Sequence, residues 1–234
     1  MTWHRPAAAA LLCLASLTGC GTGSSPEPAS ANLASHAWHG TEPNPVPERP
    51  DFELTTTDGK PFDFRAETAG TPTLVYFGYT NCPDECPTAM ADIAAALRKT
   101  PADVREDVQV ILVTTDPERD TPKVLREWLD KFDTGFIALT GTQADIDAAQ
   151  QAVGFKPAQK AGPIPTLPGR PNEHEHKPGT APHTHNGPLG YGVNHANVIF
   201  AYSADDTLPV VYTAGVTPSD IAADLPALAA GGTS

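Results

Sequence analysis

The chain has 234 residues and a mass of 24.6 kDa, enough for one ordinary domain with an extension. It carries 15 Lys and Arg against 28 Asp and Glu, a net charge of −13. That balance speaks against a phosphate-tracking surface for nucleic acid and against a basic patch for anionic membrane. Proline (25) and glycine (19) together make about a fifth of the chain, above the average share of roughly an eighth. A sizeable part of it is therefore irregular. Four cysteines are too few to staple a scaffold of this size, so their positions matter more than their number.

Residues 1–20 read MTWHRPAAAALLCLASLTGC. Arg5 supplies a charged start, and the apolar stretch Ala7 to Leu17 is too short for a transmembrane helix, which needs about 20 residues. It fits the apolar region of an export signal. The ending Leu17-Thr18-Gly19-Cys20 resembles a bacterial lipobox, which implies cleavage before Cys20 and a lipid on its thiol. The alternative is an ordinary secretory signal with Cys20 incidental. On the lipoprotein reading, residues 1–19 are the signal, Cys13 leaves with it, and the lipid is the chain's anchor on the extracytoplasmic face. Only Cys82 and Cys86 then remain as free thiols. Residues 20–50 are rich in Gly, Ser and Pro without hydrophobic periodicity and read as a flexible linker, with His36 and His39 solvated within it.

From residue 51 the pattern changes. Phe52-Glu53-Leu54 and Phe62-Asp63-Phe64 flank an Asp58-Gly59 turn, a hairpin signature. The run Thr73 to Phe77 predicts a strand buried on both faces, and Pro87 to Arg98 a helix with Met90, Ile93, Ala94 and Leu97 on one side. Val108 to Thr114 is a second buried strand. Asp120-Thr121-Pro122 opens a helix running to about Phe132, with Asp120 as its cap. A short strand over 136–139 and a helix over 142–153 follow. Two strands, 197–202 and 209–213, surround an Asp205-Asp206 turn, and Thr217-Pro218 starts a last helix. The order describes an α/β domain over 51–228 with a mixed central sheet flanked by helices and an N-terminal β-hairpin. Residues 229–234 form a tail. A thioredoxin-like fold has this order.

Residues 156–190 contain eight prolines and little apolar content, and read as a flexible loop inserted in that domain. His174, His176, His183 and His185 fall inside it. His-rich tracts bind metals at modest affinity, so an auxiliary metal-collecting role stands beside the reading of a solvated low-complexity loop.

The chemistry concentrates in Phe77-Gly78-Tyr79-Thr80-Asn81-Cys82-Pro83-Asp84-Glu85-Cys86-Pro87. Cys82 falls in a loop and Cys86 near the first turn of a helix, where free N–H groups and the helix dipole favour a thiolate. Two such thiols can close a disulfide or bind a soft metal ion such as Cu(I). A closed zinc site wants four ligands, and only one pair is present. Asp116, at the carboxyl end of the next strand, reads either as a group tuning the thiols or meeting a partner, or as a plain turn residue.

Three segments, TLVYFGYTNCPDECP, then TTDPERDTP at 114–122, then YGVNHANVIFAY at 191–202, closely resemble the Sco/SenC family. The resemblance covers roughly residues 50–228. It implies a thioredoxin-like domain, exported and held at a membrane, binding one copper ion through Cys82, Cys86 and His195. It also implies delivery of that copper to the binuclear CuA site of cytochrome c oxidase, or thiol-disulfide chemistry on that site's cysteines. The partners would be the copper-bearing oxidase subunit and a copper donor protein. Two thiolates and an imidazole do suit trigonal Cu(I), and accept Cu(II) with a fourth contact. One departure is Asn194, where the family commonly carries Asp. The competing function is a thiol-disulfide oxidoreductase, a disulfide reductase or thiol peroxidase, using Cys82 and Cys86 without metal. The three-residue spacer and the lack of proline in Asn194-His195-Ala196 favour metal binding.

Overall fold

A computed structural model describes residues 36–163 and 191–232. In chain order its elements are β1 (Glu53–Thr56), β2 (Pro61–Asp63), α1 (Phe64–Thr68), β3 (Thr73–Gly78), α2 (Glu85–Lys99) and α3 (Ala102–Arg105). There follow β4 (Gln109–Thr114), α4 (Pro122–Leu129), β5 (Ile137–Thr140), α5 (Gln143–Ala152) and β6 (Gln159–Pro163). The last are β7 (Tyr191–Asn194), β8 (Ile199–Tyr202), β9 (Val210–Tyr212) and α6 (Pro218–Ala229).

Both residue parities of β3 and β4 are apolar because helices cover both faces of the sheet they form. Leu74, Tyr76, Val110 and Leu112 point to the side packed by α2, α4 and α6. Val75, Phe77, Ile111 and Val113 point to the other side, with Phe64 of α1 and Ile146 and Ala149 of α5. The strand order is β2-β1-β5-β4-β3-β8-β9. β3, β4 and β5 run parallel, whereas β1, β2, β8 and β9 are joined antiparallel. This is the thioredoxin-like mixed sheet that the element order predicts. The hairpin forms with Gly59 at its turn in the left-handed region, φ 80°. Phe64, read as strand, instead opens α1, because the Asp63 side chain caps it by accepting from the Ala66 N–H.

Three expectations need correction. Residues 36–50 are not a solvated linker. Trp38 is buried, Arg49 is wholly buried, and the segment pairs Thr41 with Val211 and Glu48 with Thr207. His36 and His39 are bound to Asp224 of α6 rather than left in solvent. Its two buried residues, Trp38 and Arg49, lie eleven positions apart in a proline-rich stretch, and such a pattern carries no periodicity. Second, the predicted loop at 156–190 begins with a strand. β6 pairs antiparallel with β7 in a separate ribbon. Third, Asp120 does not cap α4; Thr121 does, accepting from the Val124 N–H. The signal segment, Cys20, the linker up to residue 35 and the histidines at 174, 176, 183 and 185 lie outside the described residues.

Candidate metal centre

The parallel strands β3 and β4 end at one edge of the sheet, where an α/β fold places its sites. Cys82 lies in the loop after β3 and Cys86 is the second residue of α2. The α2 cap residue, Asp84, makes no side-chain cap bond. The Cys82 sulfur takes that place, accepting the Cys86 N–H at 3.3 Å. A sulfur here meets the unpaired N–H groups and positive end of a 15-residue helix.

Cys86 is fully buried beneath Gly78, while Cys82 is half-buried. A Cβ on Gly78 would stand 3.1 Å from the Cys86 sulfur and 2.6 Å from the Tyr76 ring, so only glycine fits. His195 follows β7 and brings its Nε2 to 3.4 Å from the Cys86 sulfur. Its Nδ1 lies 3.0 Å from the Ala196 carbonyl. A carbonyl only accepts, so Nδ1 holds the proton and Nε2 turns a lone pair toward the thiols. The rings of Tyr76 and Tyr79 stand edge-on to the imidazole at 5.9 and 5.7 Å and fix its plane. The two sulfurs and an imidazole nitrogen all lie within 4.8 Å of one another.

The thiols differ in their hold on a proton. The hydrogen bond from Cys86 is the main cause that brings the Cys82 thiol down to about 4, with backbone N–H groups adding to it against burial. Burial, first, and the neighbouring Cys82 push the Cys86 thiol up. The apo site thus holds an outer thiolate and an inner thiol. The Cys86 proton faces two acceptors, the Cys82 sulfur and the His195 Nε2. A metal ion bound there takes the place of that proton.

Asp116 makes its side-chain contacts with Arg119 and the β6–β7 ribbon. It is buried, pairs with Arg119, and accepts from the Tyr191 hydroxyl at 2.8 Å. Arg119 donates to the Tyr191 carbonyl at 3.0 Å and lies 3.8 Å over the Tyr191 ring. Lys160 of β6 binds Glu118 at 2.6 Å. These contacts latch the β6–β7 ribbon to the loop after β4, and β7 runs straight into His195. Asn194 is exposed at the end of that ribbon, opposite Gln159. Sequence reading missed Arg119 and Tyr191, although both stand inside quoted motifs.

It also misplaced Asp120, which pins the cysteine loop. Its carboxylate accepts from the Thr80 N–H at 3.0 Å, the Thr80 hydroxyl at 2.5 Å and the Thr114 hydroxyl at 2.7 Å. Burial nevertheless raises its pKa, outweighing those bonds. A raised folded-state value means that folding favours the neutral carboxyl. This contribution is complete below the unfolded value of about 4 and is lost as pH rises through the folded one. Asp120→Asn, neutral throughout, should flatten the stability profile just above pH ~4, as read by urea unfolding at stepped pH. An unchanged slope would assign that dependence to other carboxylates.

With this geometry in place, comparison with known proteins is decisive for the family. The SCO1/SenC family model matches residues 40–230. The chain belongs to the SCO1/SenC family. Among curated SCO1/SenC relatives, a putative copper-binding protein of Stutzerimonas stutzeri is 38% identical over 112 residues, 47% of this chain and 54% of that protein. Protein SenC of Rhodobacter capsulatus is 42% identical over 103 residues, 40% of this chain and 46% of that protein. The aligned part thus spans about half the length of each. Among solved SCO1/SenC structures, apo Sco1 of Thermus thermophilus matches with a TM-score of 0.62 at 29% identity, covering 83% of this chain and 99% of that one. Copper-bound ScoI of Bradyrhizobium japonicum matches with a TM-score of 0.57 at 28% identity, covering 77% and 98%.

Proposed function

We propose that this SCO1/SenC protein is a copper metallochaperone that binds one copper ion through Cys82, Cys86 and His195 and presents it to the CuA site of cytochrome c oxidase. The observation that carries the reading is the convergence of two sulfurs and one imidazole nitrogen within 4.8 Å. The donor set fits copper: two soft sulfurs and a neutral imidazole give a trigonal Cu(I) site, and the half-buried Cys82 side admits a further ligand for Cu(II). It also suits release. Thiolates of an acceptor can approach at Cys82 and replace the three protein ligands in turn, while Cys86 and His195 hold the ion from beneath. The Stutzerimonas relative, described as a putative copper-binding protein, and the copper-bound Bradyrhizobium ScoI support copper as the cargo.

The domain is held at the extracytoplasmic face of the membrane by a lipid on Cys20. The support is the Leu17-Thr18-Gly19-Cys20 sequence, which resembles a bacterial lipobox. His174, His176, His183 and His185 would serve as auxiliary metal ligands that collect copper. A second reading, disulfide reduction, draws on the paired outer thiolate and inner thiol. Cys82 would attack a partner disulfide, Cys86 would resolve the mixed disulfide, and the pair would end oxidised while the partner gained two thiols.

The test is a Cu(I) titration of the full chain, followed by mixing with the apo copper-bearing domain of the oxidase subunit. Chaperone action requires one tightly bound copper and its appearance in the acceptor's binuclear spectrum. Reduction of an oxidised acceptor without any copper transfer would favour the oxidoreductase instead.

A further inference from the structure

A second cluster of ligating groups lies apart from the thiol site and owes nothing to it. Asp224 sits in the middle of α6, wholly buried, on the face that also carries Ile221, Leu225 and Leu228. A carboxylate in such a setting needs charge and hydrogen bonds to offset its desolvation. Among the described residues its ion pairs are with two imidazoles, those of His36 and His39. The His36 Nε2 approaches Oδ1 at 2.9 Å and the His39 Nδ1 approaches the same oxygen at 2.7 Å. The other oxygen, Oδ2, is held by the Tyr212 hydroxyl at 3.0 Å and the His39 backbone N–H at 3.1 Å.

This division of labour resembles a ligating carboxylate. One oxygen is fixed by an outer hydrogen-bonding shell, which orients the other toward two convergent nitrogens. Each imidazole must at present turn an N–H to Oδ1, so two protons crowd one oxygen. A dication would replace both. The His36 ring is braced edge-on against the buried Trp38 at 4.6 Å. The nitrogens and a carboxylate oxygen lie within 4.8 Å of one another. Zinc bonds of about 2.0–2.1 Å in a tetrahedral arrangement space the ligands by roughly 3.3 Å, so the contacts to Oδ1 need widen by only about half an ångström. The histidine side chains are 29% and 43% exposed, which leaves an entry path and room for a water or outside ligand.

We propose that His36, His39 and Asp224 form a second, thiol-free metal site for a divalent ion of the Zn(II) or Cu(II) type. Two imidazoles and one carboxylate match those ions, lack the sulfur that Cu(I) favours, and carry too much nitrogen for Mg(II) or Ca(II). A bound ion would clamp the segment that precedes the sheet onto α6, and it is independent of the copper reading above.

The probe is Zn(II) added to the full chain carrying Cys82→Ser, Cys86→Ser, His195→Ala and asparagine at the four histidines of residues 174–185. Binding is read by competition with a chromophoric chelator and by the imidazole resonances. We expect one equivalent bound, with the His36 and His39 ring signals shifted, and affinity lowered by about a hundredfold when both are changed to Asn. Asp224→Asn, which keeps the Tyr212 contact, should lower it as well. Binding no tighter than in the His36→Asn, His39→Asn chain would overturn the site and leave a hydrogen-bonded clasp only. Should a variant unfold, the unsubstituted chain decides: with its thiols first saturated by Cu(I), added Zn(II) must still move the His36 and His39 signals, and unmoved signals overturn the proposal.

Discussion

Replacing His195 by alanine should weaken copper binding by about a hundredfold or more, since even outer-shell partners of a metal ligand are worth ten- to a hundredfold. The imidazole supplies the one nitrogen of the site, set 3.4 Å from the Cys86 sulfur by its Nδ1 bond to the Ala196 carbonyl and by two tyrosine rings. Loss of the ring leaves two sulfurs and an open coordination position that water fills poorly for Cu(I). Cys86→Ala should cost more than Cys82→Ser. Cys86 is buried and bonded from both sides, whereas serine at position 82 still accepts the Cys86 N–H and keeps the start of α2 capped. The check is a Cu(I) competition titration of each full-length variant, with far-UV circular dichroism to verify folding. Copper affinity unchanged in the His195 variant would remove the imidazole from the site and with it the three-ligand reading.

The second large effect concerns stability. Arg49→Ala should destabilise the domain by about 2–5 kcal/mol, the range for emptying a large buried side chain's volume, with the buried acceptors it leaves unpaired adding to the cost. Arg49 is wholly buried. Its guanidinium donates to Asp206 at 2.8 Å and to the Thr68 hydroxyl, the Thr71 carbonyl and the Ser203 carbonyl, each at 2.9 Å. It also lies 5.1 Å over the Tyr202 ring. One side chain therefore ties the N-terminal segment, α1, the start of β3 and the β8–β9 turn together. Burial lowers its pKa, against the pull of Asp206, yet it starts so high that the group stays charged. Arg49→Met keeps most of the volume but none of the donors, so it should recover only part of the loss. Urea unfolding measures both. A cost below about 1 kcal/mol for the alanine variant would mean that these bonds are satisfied equally well by water.

Much of the fold was legible because it is local. The doubly apolar runs of β3 and β4 state that both faces are covered, and the Thr-Pro pairs at 121–122 and 217–218 mark helix starts by cap and ring geometry. The helical periodicity of Met90, Ile93 and Leu97 located α2 to within two residues of each limit. The thiol pair was legible for the same reason: a strand end, a short loop and a helix start place the two cysteines within one turn. The N-terminal segment was not. Its buried residues, Trp38 and Arg49, find their partners across the molecule, in contacts that leave no period in the chain. The β6–β7 ribbon was missed likewise, because 27 residues separate two short strands, neither of which alternates.

The sequence by itself determined the strands of the central sheet, the four longer helices α2, α4, α5 and α6, and the identity of the two cysteines, because propensity, capping and apolar spacing act between near neighbours. It singled out His195 through its place among three motifs, but no local rule says which histidine meets a thiol 109 positions away. Only the tertiary structure decided that His195 turns its Nε2 toward Cys86, that Asp120 pins the cysteine loop while Asp116 latches the ribbon, and that His36 and His39 converge on Asp224. These are matters of side-chain direction between distant segments. The packing of helices on a sheet, and not the order of residues along it, sets that direction.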